Sequence, residues 1–198
     1  MGGLSRNTNV VSAGRDTEPC VSGTIVVYHR GALEADLGSQ TVTRALGQLS
    51  PEERREIVDA LPVSWVRHTT FEGLYRESAL LAGRDIAALH TDIVRRGVEH
   101  RVRHLWRILL RLSDADALAA RAKMFYEKSY SAGQVLVGET DSGRSSISVK
   151  DWPKMPEMAI RGVRVGTQTL LKLAGLKNAV VASEECPDGA LFRLTWEG

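Results

Sequence analysis

Cysteine is scarce in this chain. Cys20 and Cys186 are the two that occur in 198 residues, and they form no CxxC pair. Two thiols so far apart supply neither the disulfide framework of a small secreted domain nor the ligand set of a structural zinc site. An excess of charge is also missing, since 26 basic residues face 24 acidic ones for a formal net charge of +2. Nucleic-acid affinity grows with the number of phosphates neutralised, so non-specific nucleic-acid binding lacks a bulk electrostatic driver and no specific nucleic-acid partner is expected; no polybasic arm or acidic tail stands out. No apolar run approaches the ~18 residues of a membrane span. The opening residues, Met1-Gly2-Gly3-Leu4-Ser5-Arg6, lack the apolar core of a signal peptide. A cytoplasmic protein with no membrane span is the expectation. Gly-x-Ser-x-Gly elbows, Gly-x-x-x-x-Gly-Lys phosphate loops and dinucleotide fingerprints are absent as well, so no enzymatic reaction is indicated.

What is present reads as a folded α+β protein. Hydrophobic residues make up 43% and charged residues 25%, ordinary values for a globular domain. Residues 1–20 are small and polar without periodicity, which predicts a disordered leader. Residues 21–198 are expected to form one α+β domain, with a helical part over 21–127 and an antiparallel four-stranded ββαββ part over 128–198. Thr24-Ile25-Val26-Val27-Tyr28 is a β-prone run entering a helix. Ser50-Pro51-Glu52-Glu53 combines an N-cap serine, a proline at the first helical position and a glutamate that closes a capping box. It predicts a helix to about residue 61, followed by the connector Val63-Ser64-Trp65. Further helices are expected over about 69–81, which Gly83 ends, and over 85–112, with Val94, Val98, Val102, Leu105, Leu109 and Leu112 as the inner stripe. Another follows to about residue 126.

Beyond residue 127 the apolar period drops from 3.6 to 2. Strands are expected over 134–137 and 145–149, around the turn Asp141-Ser142-Gly143, and over 178–184 and 190–196, around Cys186-Pro187-Asp188-Gly189. Phe192, Leu194 and Trp196 alternate with Leu191, Arg193 and Thr195, the mark of a sheet covered on one face. A helix over about 156–174 lies between the two hairpins. Its Gly162-x-x-x-Gly166 predicts close packing on the sheet.

That order of elements, the Gly162-x-x-x-Gly166 helix and the aromatic end of the last strand resemble a known superfamily. It joins the haem nitric-oxide-binding domains, the 4-vinyl reductase-type ligand domains and the TRAPP trafficking subunits. A nearer resemblance is to a myxobacterial family of chains of this length. It is carried by Gly23-Thr24-Ile25-Val26, Leu37-Gly38, Leu61-Pro62-Val63-Ser64-Trp65, Leu81-Ala82-Gly83 and Ala190-Leu191-Phe192-Arg193-Leu194-Thr195-Trp196. The resemblance spans about residues 21–196 and implies a bacterial signalling module that senses a small molecule or binds a protein. Related folds often self-associate through helices, so the resemblance also allows a homodimer, and the residues themselves leave the oligomeric state open. Haem-binding members carry a proximal histidine on a helix and a Tyr-x-Ser-x-Arg clamp for the propionates. Here His100 and His104 lie at about the right distance, but Tyr126-Glu127-Lys128-Ser129-Tyr130 has no arginine at the required place.

Two candidate sites follow from the residues. Trp65, His68, Phe71, Tyr75 and Trp106 could line an apolar pocket between helices and sheet, the usual form of a small-molecule site; aromatics at helical spacing also serve as plain core. Arg96, His100, Arg103, Arg107 and Arg111 form a one-sign stripe opposite the apolar face, suited to an acidic protein partner, a phosphate-bearing ligand or nucleic acid; charge outside is also what any amphipathic helix shows. His100 and His104 share a helix face as a two-histidine metal site would, but the arginines around them repel a cation, and no metal or other cofactor is expected. Cys186, next to Glu184 and Glu185, lacks a neighbouring base and carries no catalytic expectation. The leading expectation is a non-enzymatic ligand-sensing or protein-interaction module. The alternatives are a haem- or metal-binding gas or redox sensor, and an enzyme with an unrecognised site.

Overall fold

The computed structural model describes residues 18–102, 122–141 and 143–197. Strand β1 (Cys20–Ser22) leads into helices α1 (Gly23–Leu37), α2 (Ser39–Gln48) and α3 (Pro51–Val58). Strand β2 (Trp65–Arg67) follows, then α4 (His68–Ala82) and α5 (Ile86–Val102). Residues 122–127 are helical. The chain closes with β3 (Gln134–Val137), β4 (Arg144–Lys150), α6 (Glu157–Leu173), β5 (Lys177–Cys186) and β6 (Gly189–Glu197). The fold is α+β, with a helical first half and a four-stranded antiparallel sheet in the second, in the order β3-β4-β6-β5.

Local chemistry accounts for several of these boundaries. The Ser50 hydroxyl accepts from the Glu53 amide at 3.2 Å, and the Glu53 carboxylate accepts from the Ser50 amide at 2.9 Å, so the capping box forms as read. Gly83 ends α4 in the left-handed conformation at φ 61°, which glycine adopts without strain. At Gly189 the backbone of β6 passes so close to β4 that a Cβ would sit 2.1 Å from the Val149 carbonyl oxygen, so no side chain fits there.

Three expectations need correction. The run from Thr24 to Tyr28 lies wholly inside α1. The strand is the preceding triplet, because Cys20, Val21 and Ser22 find partners in Arg67, Val66 and Trp65. The supposed connector therefore contributes Trp65 to a strand, and α3 stops at Val58 rather than near residue 61. Gly162-x-x-x-Gly166 does not pack on the sheet. A Cβ at Gly162 would meet the Tyr130 hydroxyl at 2.8 Å and His90 at 3.5 Å, and one at Gly166 would meet Val98 at 3.9 Å. The glycines let α6 press against α5 and the residue-130 segment, whereas residues such as Ile160 and Leu171 belong to the core of the sheet half.

Two hydrophobic cores result. One joins α1–α5 through Val26, Leu33, Phe71, Leu74, Tyr75, Leu89 and Ile93. The other lies under the sheet, through Val135, Ile147, Val149, Trp152, Val181, Phe192 and Leu194. Leu136 and Val180, on the opposite side of the pleat, remain 55% and 52% exposed, the alternation of a sheet covered on one face. The cores meet where Tyr130 packs against both. Backbone bonds hold this seam: the Ser22 amide donates to Ser129 O at 2.9 Å, and the Ser131 amide to Cys20 O at 3.0 Å.

A candidate ligand cavity at the seam of the two cores

Helical spacing brings three buried histidines to the seam. His29 sits in the apolar stripe of α1 between Val26 and Leu33, His68 opens α4, and His90 lies between Leu89 and Ile93 on α5. His68 and His90 are each 2% exposed and His29 6%. Tyr75, one turn beyond Phe71 on α4, reaches His29, and the Tyr75 hydroxyl and His29 Nδ1 share a 2.6 Å hydrogen bond. Tyr75 and His90 meet edge to face with ring centroids 5.0 Å apart, and His29 and His90 lie 5.9 Å apart. On the other side of Phe71, His68 packs edge-on against Trp152 at 5.8 Å.

Burial is the main cause that keeps these rings neutral. It pushes His90 down to about 3, helped by the charge of Arg161, and His68 down to about 4. His29 is held well below its ordinary range by burial first, then by His90 and Arg101. Among the described residues, Nδ1 of His90 and Nδ1 of His68 have no hydrogen-bond partner. The Glu72 carboxylate lies 3.8 Å from His68 Nδ1, too far for a hydrogen bond, and a neutral ring makes no ion pair with it.

His29 and His90 border a cavity of about 150 Å³. Its walls come from every element at the seam: Tyr28 from α1, Phe71 from α4, Val94 and Val98 from α5, Tyr126 from the residue-122 helix and Leu170 from α6. Gly97 lets the Tyr28 wall pack directly against α5. A Cβ at Gly97 would come within 2.7 Å of the Tyr28 ring. At the rim, the Arg101 guanidinium lies over that ring, 5.7 Å from its centroid.

The structure gathers His68, Phe71 and Tyr75 in the core as the sequence grouped them, but Phe71 alone of the three borders the cavity. Tyr75 reaches it through His29, and His68 faces Tyr130 and Trp152. Trp65 is 48% exposed and is not a wall, and Trp106 lies outside the described residues. In the basic stripe, Arg96 is engaged with Asp36 of α1, Nη1 donating at 2.9 Å. His100 stacks on Tyr28 with centroids 6.3 Å apart, while Arg103, Arg107 and Arg111 lie outside the described residues. His29 and His90 escaped the sequence reading. Their signal was a histidine at an apolar position of a helical stripe.

Among the described residues, no group of three His, Cys, Asp or Glu side chains could hold a metal ion, and no helix is long and apolar enough to cross a membrane. For a haem, the described residues offer a small cavity and no propionate clamp. Pockets for drug-sized ligands measure roughly 300–1,000 Å³, and a haem belongs at the large end of that class, whereas this cavity holds about 150 Å³. The Tyr-x-Ser-x-Arg pattern occurs nowhere in the chain, and His104 lies outside the described residues.

The same architecture occurs in solved H-NOX domains. The Fe(II) unliganded H-NOX protein from K. algicida superimposes with a TM-score of 0.65 at 12% identity, over 89% of this chain and 97% of that one. An oxygen-binding H-NOX domain related to soluble guanylate cyclases, solved as its oxygen complex, gives a TM-score of 0.61 at 9% identity, over 89% and 95%. No protein-family model and no curated protein matches the chain. At such identities the likeness establishes the fold, distantly similar to H-NOX, and leaves the ligand to be argued from the cavity.

Proposed function

We propose that this protein is a sensor domain that binds a small molecule in the cavity between its two cores and passes the binding on by shifting one core against the other. The observation that carries this reading is His90, which borders an apolar cavity and whose buried Nδ1 has no partner among the described residues. Proteins leave few buried polar atoms unsatisfied, since each costs about 1–3 kcal/mol, and a bound ligand is the simplest partner for this one. The cavity is bounded by α1, α4, α5 and α6 together, so an occupant bears on both halves at once. That coupling is what a switch requires.

The H-NOX likeness favours a gas or haem sensor, and the size of the cavity favours an occupant smaller than haem. An absorption spectrum of the purified protein, before and after addition of hemin, separates the two. The small-ligand reading expects no Soret band, and a stoichiometric band that shifts with carbon monoxide would assign the protein to the haem sensors. Thermal shift against neutral single-ring compounds tests the cavity directly, because a ligand bound to the native state raises the melting temperature. A cavity-filling Val94→Phe variant should abolish any such shift. The sensor reading involves no catalysis. An acidic protein partner for the arginine stripe and a homodimer, within a bacterial signalling chain akin to the myxobacterial family, remain expectations resting on the sequence.

A further inference from the structure

Resting on the sensor reading above, we infer that the ligand is an elongated phenolic acid, its ring in the cavity, its hydroxyl on His90 and its carboxylate on Arg101. Size sets the body of the ligand. Apolar cavities of roughly 150 Å³ admit a benzene-sized molecule, and the walls here are Phe71, Val94, Val98 and Leu170 around an interior of about that volume.

The two polar ends set its functional groups. At the inner end, His90 Nδ1 is buried and unpaired among the described residues. A neutral imidazole nitrogen is a donor or an acceptor according to tautomer, and a hydroxyl, able to do either, satisfies both. At the outer end, Arg101 borders the cavity. Its polar contact among the described residues is a long one, 3.5 Å to the Thr24 carbonyl, and no carboxylate pairs with it there. Its neighbours on the helix are better served: Arg95 pairs with Asp92, and Arg96 with Asp36. Eleven residues of α5 separate His90 from Arg101, about 16 Å along the axis. Both side chains lean toward the helix N-terminus, and the longer arginine reaches further back. The gap between the two polar groups is then on the order of 10–15 Å, which a ring with a short acidic tail and its two hydrogen bonds spans and a lone phenol does not.

Binding of 4-hydroxycinnamate, cinnamate and 4-ethylphenol, measured by calorimetry on the full chain, tests the assignment. The hydroxy acid should bind about tenfold more tightly than either comparator, the scale of one charge-assisted or buried hydrogen bond. Arg101→Gln, a change at the exposed rim that leaves both cores intact, should remove the advantage over 4-ethylphenol. His90→Phe should remove the advantage over cinnamate. If 4-ethylphenol matches the acid, or Arg101→Gln leaves the acid's affinity unchanged, the phenolic-acid assignment falls while the cavity reading stands. If none of the three compounds binds and neutral rings give no thermal shift, both readings fall together.

Discussion

The helical core encloses His29, His68 and His90 beside Thr70 and Ser78, whereas the core under the sheet is built from aliphatic residues and Met155 with Tyr126, Trp152 and Phe192. Buried hydroxyls on that side are paired: Thr169 donates to the Val165 carbonyl at 2.7 Å and Tyr126 to the Ala132 carbonyl at 2.8 Å. In the first half, His68 Nδ1, His90 Nδ1 and Ser78 Oγ have no partner among the described residues. One core is thus optimised for packing, and the other holds polar groups at a cost to stability. The proposed ligand site rests on this difference: a ligand site retains buried polarity left open beside a cavity, and a plain scaffold eliminates it.

The contrast breaks most visibly at Phe192, fully buried on a central strand between Ile147 and Ser183. Phe192→Ala should cost about 3–5 kcal/mol, read from urea unfolding midpoints. A loss below about 1 kcal/mol would mean that the sheet core is loosely packed.

Acid should act on the other core. His90 and His68 stay neutral in the folded protein down to about 3 and about 4, whereas in the unfolded chain histidine titrates near ~6.5. Their contribution is complete above that pH. Below it the unfolded chain takes up protons that the folded one refuses, so stability falls toward the folded values at about 1.4 kcal/mol per pH unit for each ring. Urea midpoints at pH 7, 6 and 5 should show this slope, and His90→Phe should flatten it by one proton. A flat profile would show that the rings are accessible to protonation. Gly97→Ala tests the seam itself. The new methyl meets Tyr28 at 2.7 Å and should cost about 1–3 kcal/mol by overpacking while disturbing any ring-compound binding. The smallest effect is expected far from both cores, where Ser50→Ala removes a helix cap worth about 1 kcal/mol and should leave ligand affinity unchanged.

The sheet half was the more legible in the residues. Period-two alternation placed β3 to β6 within about two residues of their observed bounds, because one buried face dictates the register of every strand. The capping box at Ser50 was equally plain, because its two hydrogen bonds span three residues of chain. In the helical half the reading found the helices but misjudged what their inner faces carry. It offered Trp65, His68, Phe71, Tyr75 and Trp106 as pocket walls, of which Phe71 borders the cavity among the described residues, and passed over His29 and His90. Nothing local distinguishes a histidine that will be buried against another helix from one in solvent. Strands β1 and β2 were missed for a related reason: each is three residues long and exists through a partner more than forty positions away.

Patterns with short range in the chain, such as the change of period near residue 127, the helix caps and the turns at glycine, are determined by the amino-acid order, since their energies come from neighbouring residues. The cavity is of another kind. Tyr28, Phe71, His90, Tyr130 and Gly162 come from five separate segments, and their meeting depends on how α1, α4, α5 and α6 pack across the seam. Only the tertiary structure decides that, because the free energy of burying a side chain belongs to the assembled interior and to no stretch of chain alone.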